Sequence, residues 1–230
     1  MTDTPRDIAT EILDAALMHV PFDGWSDTAF NAAIKDVEVA PAVAKGLFPR
    51  GAIDLAAAYH RRGDDAMAAA LESKDLSDMR FRDKVALAVR LRIESVEDKE
   101  AVRRGATLFA LPMHAAEGAK LIWGTADRIW TVLGDTSRDI NWYTKRATLS
   151  GVYSSTVLYW LGDDSLDNQA TWAFLDRRID DVMQVEKVKS QMRKVPGVGK
   201  LVTGAESFLS RIKSPKRRRD DLPGGWTVPR

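Results

Sequence analysis

Apolar residues recur along this chain at intervals of three and four, the spacing that lines one face of an α-helix. Ile8, Ile12, Ala15 and Ala16 open the series. Ser26 is the expected N-cap of a second helix over Asp27–Asp36, and Trp25 before it is placed to staple against Phe30. A short third helix takes Pro41 into its first turn and reaches Leu47. Pro49, Gly51 and the run Arg61-Arg62-Gly63-Asp64-Asp65 read as punctuation of the next segment. Two helices joined by a short turn so early in the chain outline a helix-turn-helix.

The pattern changes near residue 83. Val85, Ala86, Leu87, Ala88, Val89, Leu91 and Ile93 make a helix apolar on nearly every side, which predicts burial in a larger bundle. The next predicted helix, 99–111, ends at Pro112. Another, 115–133, carries the stripe Ala119, Ile122, Ala126, Ile129 and Leu133, with Trp123 and Trp130 beside it, and stops at Gly134-Asp135. A helix beginning near Asp139 has a bulky seam (Trp142, Leu149, Tyr153, Thr156, Trp160) and a small one (Ala147, Ser150, Gly151, Ser154). After Gly162-Asp163-Asp164-Ser165, residues 166–185 form its predicted antiparallel partner through Trp172, Leu175, Ile179 and Met183. Two consecutive long helices of this kind suit a four-helix interface with a second copy of the chain. No strand signal appears, so the fold class is all-α. Beyond Pro196-Gly197, residues Leu201, Val202, Ala205, Phe208, Leu209 and Ile212 share one side of a further predicted helix. The stretch 214–230 is polar and Pro-containing and is expected to be disordered.

Composition narrows the class. With 230 residues, 45% of them hydrophobic and 29% charged, the chain reads as an ordinary soluble globular protein. No apolar run is long enough to span a bilayer. The N-terminus, Met1-Thr2-Asp3-Thr4-Pro5-Arg6-Asp7, lacks the layout of a secretion signal or a transit segment. Zero cysteines exclude a disulfide framework, a thiolate nucleophile and a Cys-based metal site. A cytoplasm, most simply a bacterial one, is the expected compartment.

Charge is distributed unevenly. From 186 to 219 there are eleven bases against Glu186 and Glu206, a balance of +9, so the total of +1 leaves about −8 elsewhere. An apolar helix face bordered by Lys200, Arg211 and Lys213, with the run Lys216-Arg217-Arg218-Arg219 beyond it, has the design of an interfacial helix on anionic lipid. Its alternative is docking on the protein's own body. The helix-turn-helix outline, by contrast, is poorly equipped for DNA. Residues 1–62 hold nine acids and six bases, and the would-be recognition helix offers only Lys45. Duplex affinity rests on neutralised phosphates and base reading on Arg, Asn or Gln.

Catalytic signals are absent from the pattern. His19, His60 and His114 lie in separate segments without metal-ligand spacing, and no Gly-rich phosphate loop occurs. The pairs Asp163-Asp164, Asp180-Asp181 and Asp220-Asp221 read as solvated charge. The most informative stretch is Asp139-Ile-Asn-Trp-Tyr-Thr-Lys-Arg146, where Trp142 and Tyr143 stand side by side. Neighbours on a helix point about 100° apart, so one buried face has difficulty taking both. Either one ring is core and the other half-buried, or the pair forms a contact surface.

Three blocks carry a family likeness: Gly134-Asp-Thr-Ser-Arg-Asp-Ile-Asn-Trp-Tyr-Thr-Lys-Arg146, Thr171-Trp-Ala-Phe-Leu-Asp-Arg-Arg-Ile-Asp-Asp-Val182, and Phe22-Asp-Gly-Trp25. Together they resemble the accessory lipid-binding protein family of ubiquinone (coenzyme Q) biosynthesis, the ninth numbered member of that pathway. The resemblance implies a tetracycline-repressor-like homodimer that has lost DNA reading. Its parts would be an N-terminal helix-turn-helix-like module at 1–70 and a lipid-binding and dimerisation domain at 71–185. A basic amphipathic membrane-binding segment at 186–213 and a tail at 214–230 would complete the chain.

The implied function is non-enzymatic and needs no cofactor, no metal and no nucleic acid. An isoprenoid quinone or phospholipid would enter an apolar pocket, for which Leu87, Leu91, Ile122, Trp123 and Ile129 are the candidate lining residues. The protein would dock peripherally on the inner membrane face through Leu201, Val202, Phe208, Leu209 and Ile212 with Lys200, Arg211 and Lys213. It would present a demethoxy-quinone to the pathway's di-iron hydroxylase at Asp127, Trp130, Asp139, Trp142, Tyr143 and Arg146. The region Leu111-Pro-Met-His114 departs from the family's pattern of polar residues, and the presequence of animal members is not seen. The alternatives are a ligand-responsive transcriptional regulator of the same architecture and an enzyme acting on a quinone precursor.

Overall fold

The computed structural model describes residues 7–193, with side chains to Gln184. Asp7 accepts from the Thr10 amide and opens α1 (Ile8–Asp23). Ser26 accepts from the Ala29 amide and opens α2 (Asp27–Asp36), the expected N-cap. Helix α3 (Pro41–Leu47) begins at a proline, whose missing N–H is no loss in a first turn. Trp25 is buried: its ring packs 5.6 Å from that of Tyr59 and its indole N–H donates to the Ala101 carbonyl, while Phe30 meets Phe48 edge-on.

Helix α4 (Ala52–Glu72) corrects the sequence reading, because it passes unbroken through Arg61–Asp65, where punctuation is expected. A glycine in a helix interior costs about 1 kcal/mol relative to alanine. At Gly63 the reason is spatial. A Cβ there would stand 2.5 Å from Nη1 of Arg92, whose buried guanidinium lies against the bare backbone. Tertiary packing overrides local propensity at this point.

The remaining helices are α5 (Phe81–Glu94), α6 (Lys99–Ala110), α7 (Ala115–Val132), α8 (Ile140–Leu161) and α9 (Gln169–Arg193). Asp98 caps α6 and Asp139 caps α8 through backbone amides two or three residues on. A 3-10 turn, Leu166–Asn168, separates α8 from α9. Asp163 is buried and accepts from the amides of Ser165 and Thr171 and from the Thr171 hydroxyl. Those bonds hold its carboxyl well below the usual range, so this acid orders the corner instead of being solvated charge. No strand occurs among the described residues.

Two apolar clusters share α4. The first packs Ile12, Leu13, Val20, Phe30, Ile34 and Phe48 around Leu55, and takes in Ala101 of α6. The second packs Met67 and Leu71 against Val89, Ile93, Ile129, Leu149, Tyr153, Trp160 and Leu175. Helix α5 reads as apolar all round because α4, α7 and α9 surround it. From Leu149 onward the bulky seam of α8 faces this core, whereas Ala147 and Gly151 of its small seam are exposed. No described helix is long and apolar enough to cross a membrane. The expected membrane-binding residues at 200–213 lie outside the described residues, as does the tail 214–230.

Replacing Gly63 by alanine is expected to destabilise the fold by about 1–3 kcal/mol, the scale of overpacking. Gly124 in α7 has nothing within 4 Å of the place a Cβ would occupy, and Gly124→Ala should stabilise by about 0.5–1 kcal/mol. Urea midpoints of the two variants, moving in opposite directions, check the assignment.

Candidate functional site

Helices α4 to α8 do not close on one another completely. Between them lies a cavity of about 430 Å³, walled by Ile93, Val102, Phe109, Leu121, Ile122 and Val157 with the rings of Trp25 and Trp160. Its size is that of a site for one small ligand or part of a larger one. Small residues make the space, since Ala101, Gly105, Ala106, Gly118 and Ala119 line it where α6 and α7 run past each other.

One wall is polar, with His60, Arg92 and Tyr153 lining it. Arg92 is buried; its Nε donates to Asp64 at 2.6 Å and its Nη2 to the His60 carbonyl at 2.9 Å. Thr125, also buried, donates to the same Asp64 oxygen and lies 2.8 Å from Nε2 of His60. Burial pushes the Asp64 carboxyl up against the pull of Arg92. Burial, aided by the Arg92 charge, lowers the His60 imidazole to about 3, so the ring is neutral at physiological pH.

A second constellation lies on the outside of α7 and α8. Arg146 is only 3% exposed. Its Nε donates to Asp127 at 2.5 Å and its Nη1 to Asp135 at 3.0 Å and to the Trp142 carbonyl at 3.1 Å. Lys145 adds a 2.8 Å bond to Asp135. Burial opposes the Asp135 charge, but Lys145, Ser137 and Arg146 outweigh it and hold the carboxyl well below its usual range. The Arg146 guanidinium lies 4.0 Å from the centre of the Trp142 ring. Trp142 meets Tyr143 edge-on at 4.8 Å, and both approach Trp123, at 6.0 and 6.4 Å. All three rings are half-buried.

The candidate residues therefore divide. Trp123, Trp142 and Tyr143 form one aromatic cluster on the surface, with Asp127 and Asp139 partly or fully exposed beside it. Arg146 and Trp130 are buried and hold the cluster from behind, Trp130 donating its indole N–H to the Lys145 carbonyl and stacking on Phe81. Of the five candidate pocket residues only Ile122 lines the cavity. Leu87 and Leu91 pack against the main core, Ile129 is fully buried in it, and Trp123 belongs to the surface cluster. An all-round apolar helix marks the centre of a bundle, whereas a cavity forms beside small residues. Sequence reasoning does not single out Arg92 or His60. The available signal is Arg92 itself, a base four residues after Ala88 and three after Val89, within the buried stripe of α5.

Residues 115–186 match the COQ9 family model. That span contains all of α7 and α8 and most of α9. The chain is 29% identical over 232 residues to a ubiquinone biosynthesis protein COQ9, mitochondrial, of Xenopus tropicalis, covering 94% of this chain and 71% of that protein. It is 33% identical over 189 residues to the protein of that name from Drosophila melanogaster, covering 80% of this chain and 58% of that one. The corresponding human protein is 27% identical over 202 residues, with 83% and 62% covered. In three dimensions the chain is similar to a TetR transcriptional regulator from Nitrosomonas europaea ATCC 19718. The TM-score is 0.63 at 16% identity, over 76% of this chain and 97% of that one. The frame is thus the tetracycline-repressor-like helical fold expected.

Arg146→Met is expected to destabilise by about 2–3 kcal/mol, less than the roughly 3–5 kcal/mol of a fully orphaned buried charge, because Lys145 still holds Asp135. Chemical denaturation gives the value. For His60, the native pKa lies below the unfolded value of about 6.5, so the unfolded chain takes the proton first. Stability should fall as pH drops from about 6.5 towards 3, by up to about 2 kcal/mol at pH 5. His60→Gln should flatten that part of a stability-versus-pH curve relative to wild type.

Proposed function

We propose that this chain, which belongs to the COQ9 family of ubiquinone biosynthesis, is a non-enzymatic lipid-binding accessory protein that carries a hydrophobic intermediate of the pathway. The cavity carries this reading: about 430 Å³ bounded mainly by apolar side chains, with a polar wall on one side. Transfer of apolar surface out of water stabilises by roughly 25 cal/mol per Å², so enclosing part of an isoprenoid chain offsets the cost of withdrawing it from a bilayer. The basic segment 186–213 is the membrane-docking element of this scheme. The α8–α9 pair, which exposes Leu158, Tyr159 and Met183, is its dimerisation face.

The cargo in this scheme is a demethoxy-quinone, and the receiver is the di-iron hydroxylase of the pathway. The aromatic cluster Trp123, Trp142 and Tyr143, with Asp127 and Asp139 at its border, is the surface offered to that partner. Aromatic anchors on a rigid helix suit such a role. DNA reading is disfavoured by α3, which exposes Val43 and Leu47 and brings one base, Lys45.

Mass spectrometry of the full chain purified from native membranes should find an isoprenoid quinone or its precursor bound in roughly stoichiometric amount. Ala106→Phe, which fills the cavity from α6, should reduce that ligand at least about fivefold while the fold survives. Tyr143→Lys should leave the ligand in place but weaken capture of the hydroxylase. A ligand-free wild-type protein that also fails to bind liposomes sinks the carrier reading.

A further inference from the structure

The turn between α6 and α7 points apolar side chains into solvent. No Asp, Glu, Lys or Arg occurs between Arg104 and Glu117, although charged residues make up 29% of the chain. Leu111, Pro112 and Met113 stand at the tip; Leu111 is 45% and Met113 79% exposed, with exposed Pro112 between them. Apolar groups gathered on a surface mark a contact site. We propose that this turn inserts into the surface of a lipid bilayer and opens the cavity to it. The proposal rests on the carrier reading and adds where the carrier loads.

The tip is pre-formed. Leu111 ends α6 in an extended conformation, as a residue before proline prefers. Its carbonyl accepts from the His114 amide at 2.8 Å, closing a turn with Pro112 in the second position, where proline is favoured. Behind the tip α6 and α7 are pressed together, for a Cβ on Gly118 would stand 2.8 Å from Cβ of Phe109. Arg50 donates from both terminal nitrogens to Glu117 at 2.7 Å, which fastens the tip to the turn before α4. That neighbouring turn adds exposed Leu47 and Pro49.

The place of the turn points to lipid as its partner. Ala110 before it and Ala115 and Ala119 after it are exposed and also line the cavity. The cavity therefore reaches the surface beside the tip. An apolar tail that leaves a bilayer here passes from hydrocarbon to cavity without exposing its surface to water. Charge agrees with this assignment. Arg50 is neutralised by Asp54 and Glu117. Lys45 of α3 and Lys120 of α7, both exposed, have no ion-pair partner among the described residues. Free lysines beside an apolar insert favour an anionic lipid surface. The chain's own apolar segment 201–212, bordered by Lys200, Arg211 and Lys213, would bring like charge to them.

The chain has no cysteine, so Met113→Cys gives the full-length protein a single thiol for an NBD fluorophore. With vesicles of phosphatidylcholine and phosphatidylglycerol in equal parts, emission from that site should rise about threefold on entering the acyl boundary. Nitroxide-labelled lipid should quench it. The same label on Glu72→Cys, at the opposite end of α4, should change little. The paired variant Leu111→Ser/Met113→Ser should lower vesicle partition about tenfold, the scale of withdrawing two apolar side chains from an interface. Its thermal midpoint should match wild type, because both side chains face solvent. Vesicle binding with the Met113 label still in water, or an equal rise at Glu72, overturns the turn assignment and leaves the carrier reading standing. A Met113 label already shielded before vesicles are added shows that protein covers the turn, and overturns it too. Failure of the wild-type chain to bind these vesicles overturns the proposal, and together with the absence of bound ligand it sinks the carrier reading.

Discussion

The guanidinium of Arg92 organises the larger half of this molecule. A buried cation is tolerated only where geometry and hydrogen bonds repay its lost hydration, and here three neighbouring helices supply them. Asp64 and the His60 carbonyl come from α4, and Asp64 is in turn bonded by Thr125 of α7. Tyr153 of α8 places its ring 5.9 Å from the charge. The side chain itself leaves α5 and lies against Gly63, the one residue type that gives a helix a notch without breaking it. Satisfying this ion determines how α4, α5, α7 and α8 sit together. It also gives the neighbouring cavity its polar wall.

Helix α7 connects that interior to the surface. Thr125 faces the Arg92 cluster, while Asp127, two residues on and about 200° around the helix, pairs with Arg146 outside. Trp123 joins the surface rings and Ile122 lines the cavity. The cavity and the surface aromatic cluster are thus both built on this one helix. The two ion clusters keep that helix in place from both sides, one through Asp64 and Thr125 and the other through Asp127 and Arg146.

Much of this architecture is legible in residue order alone. The helical class, the cap at Ser26, the helix start near Asp139, the short α3 and its poverty in bases all come from local spacing and residue type. The Trp142-Tyr143 pair is correctly marked as unusual: both rings are half-buried, so neither a pure core nor a free surface describes them. Two local readings give way to packing: Gly63 marks a notch instead of a break, and Asp163 a buried corner instead of solvated charge. In each case the deciding partner lies far along the chain or on a neighbouring element, beyond the reach of spacing.

Sequence alone determined the helical class, most of the helix positions outside α4 and the uneven placement of charge, because helix periodicity, caps and composition are properties of adjacent residues. The blocks around Trp142 and Trp172 also carry its likeness to the COQ9 family. Tertiary structure decided where the cavity is, which polar groups face it and which charges are buried. A cavity is the space that helices fail to fill, and its position depends on where alanines and glycines of α6 and α7 come to lie opposite one another. Whether Arg92 or Arg146 meets water or a carboxylate is likewise a matter of what the fold brings to it. The carboxylates that hold them, Asp64 for Arg92 and Asp127 and Asp135 for Arg146, come from other elements and cannot be paired with them from residue order.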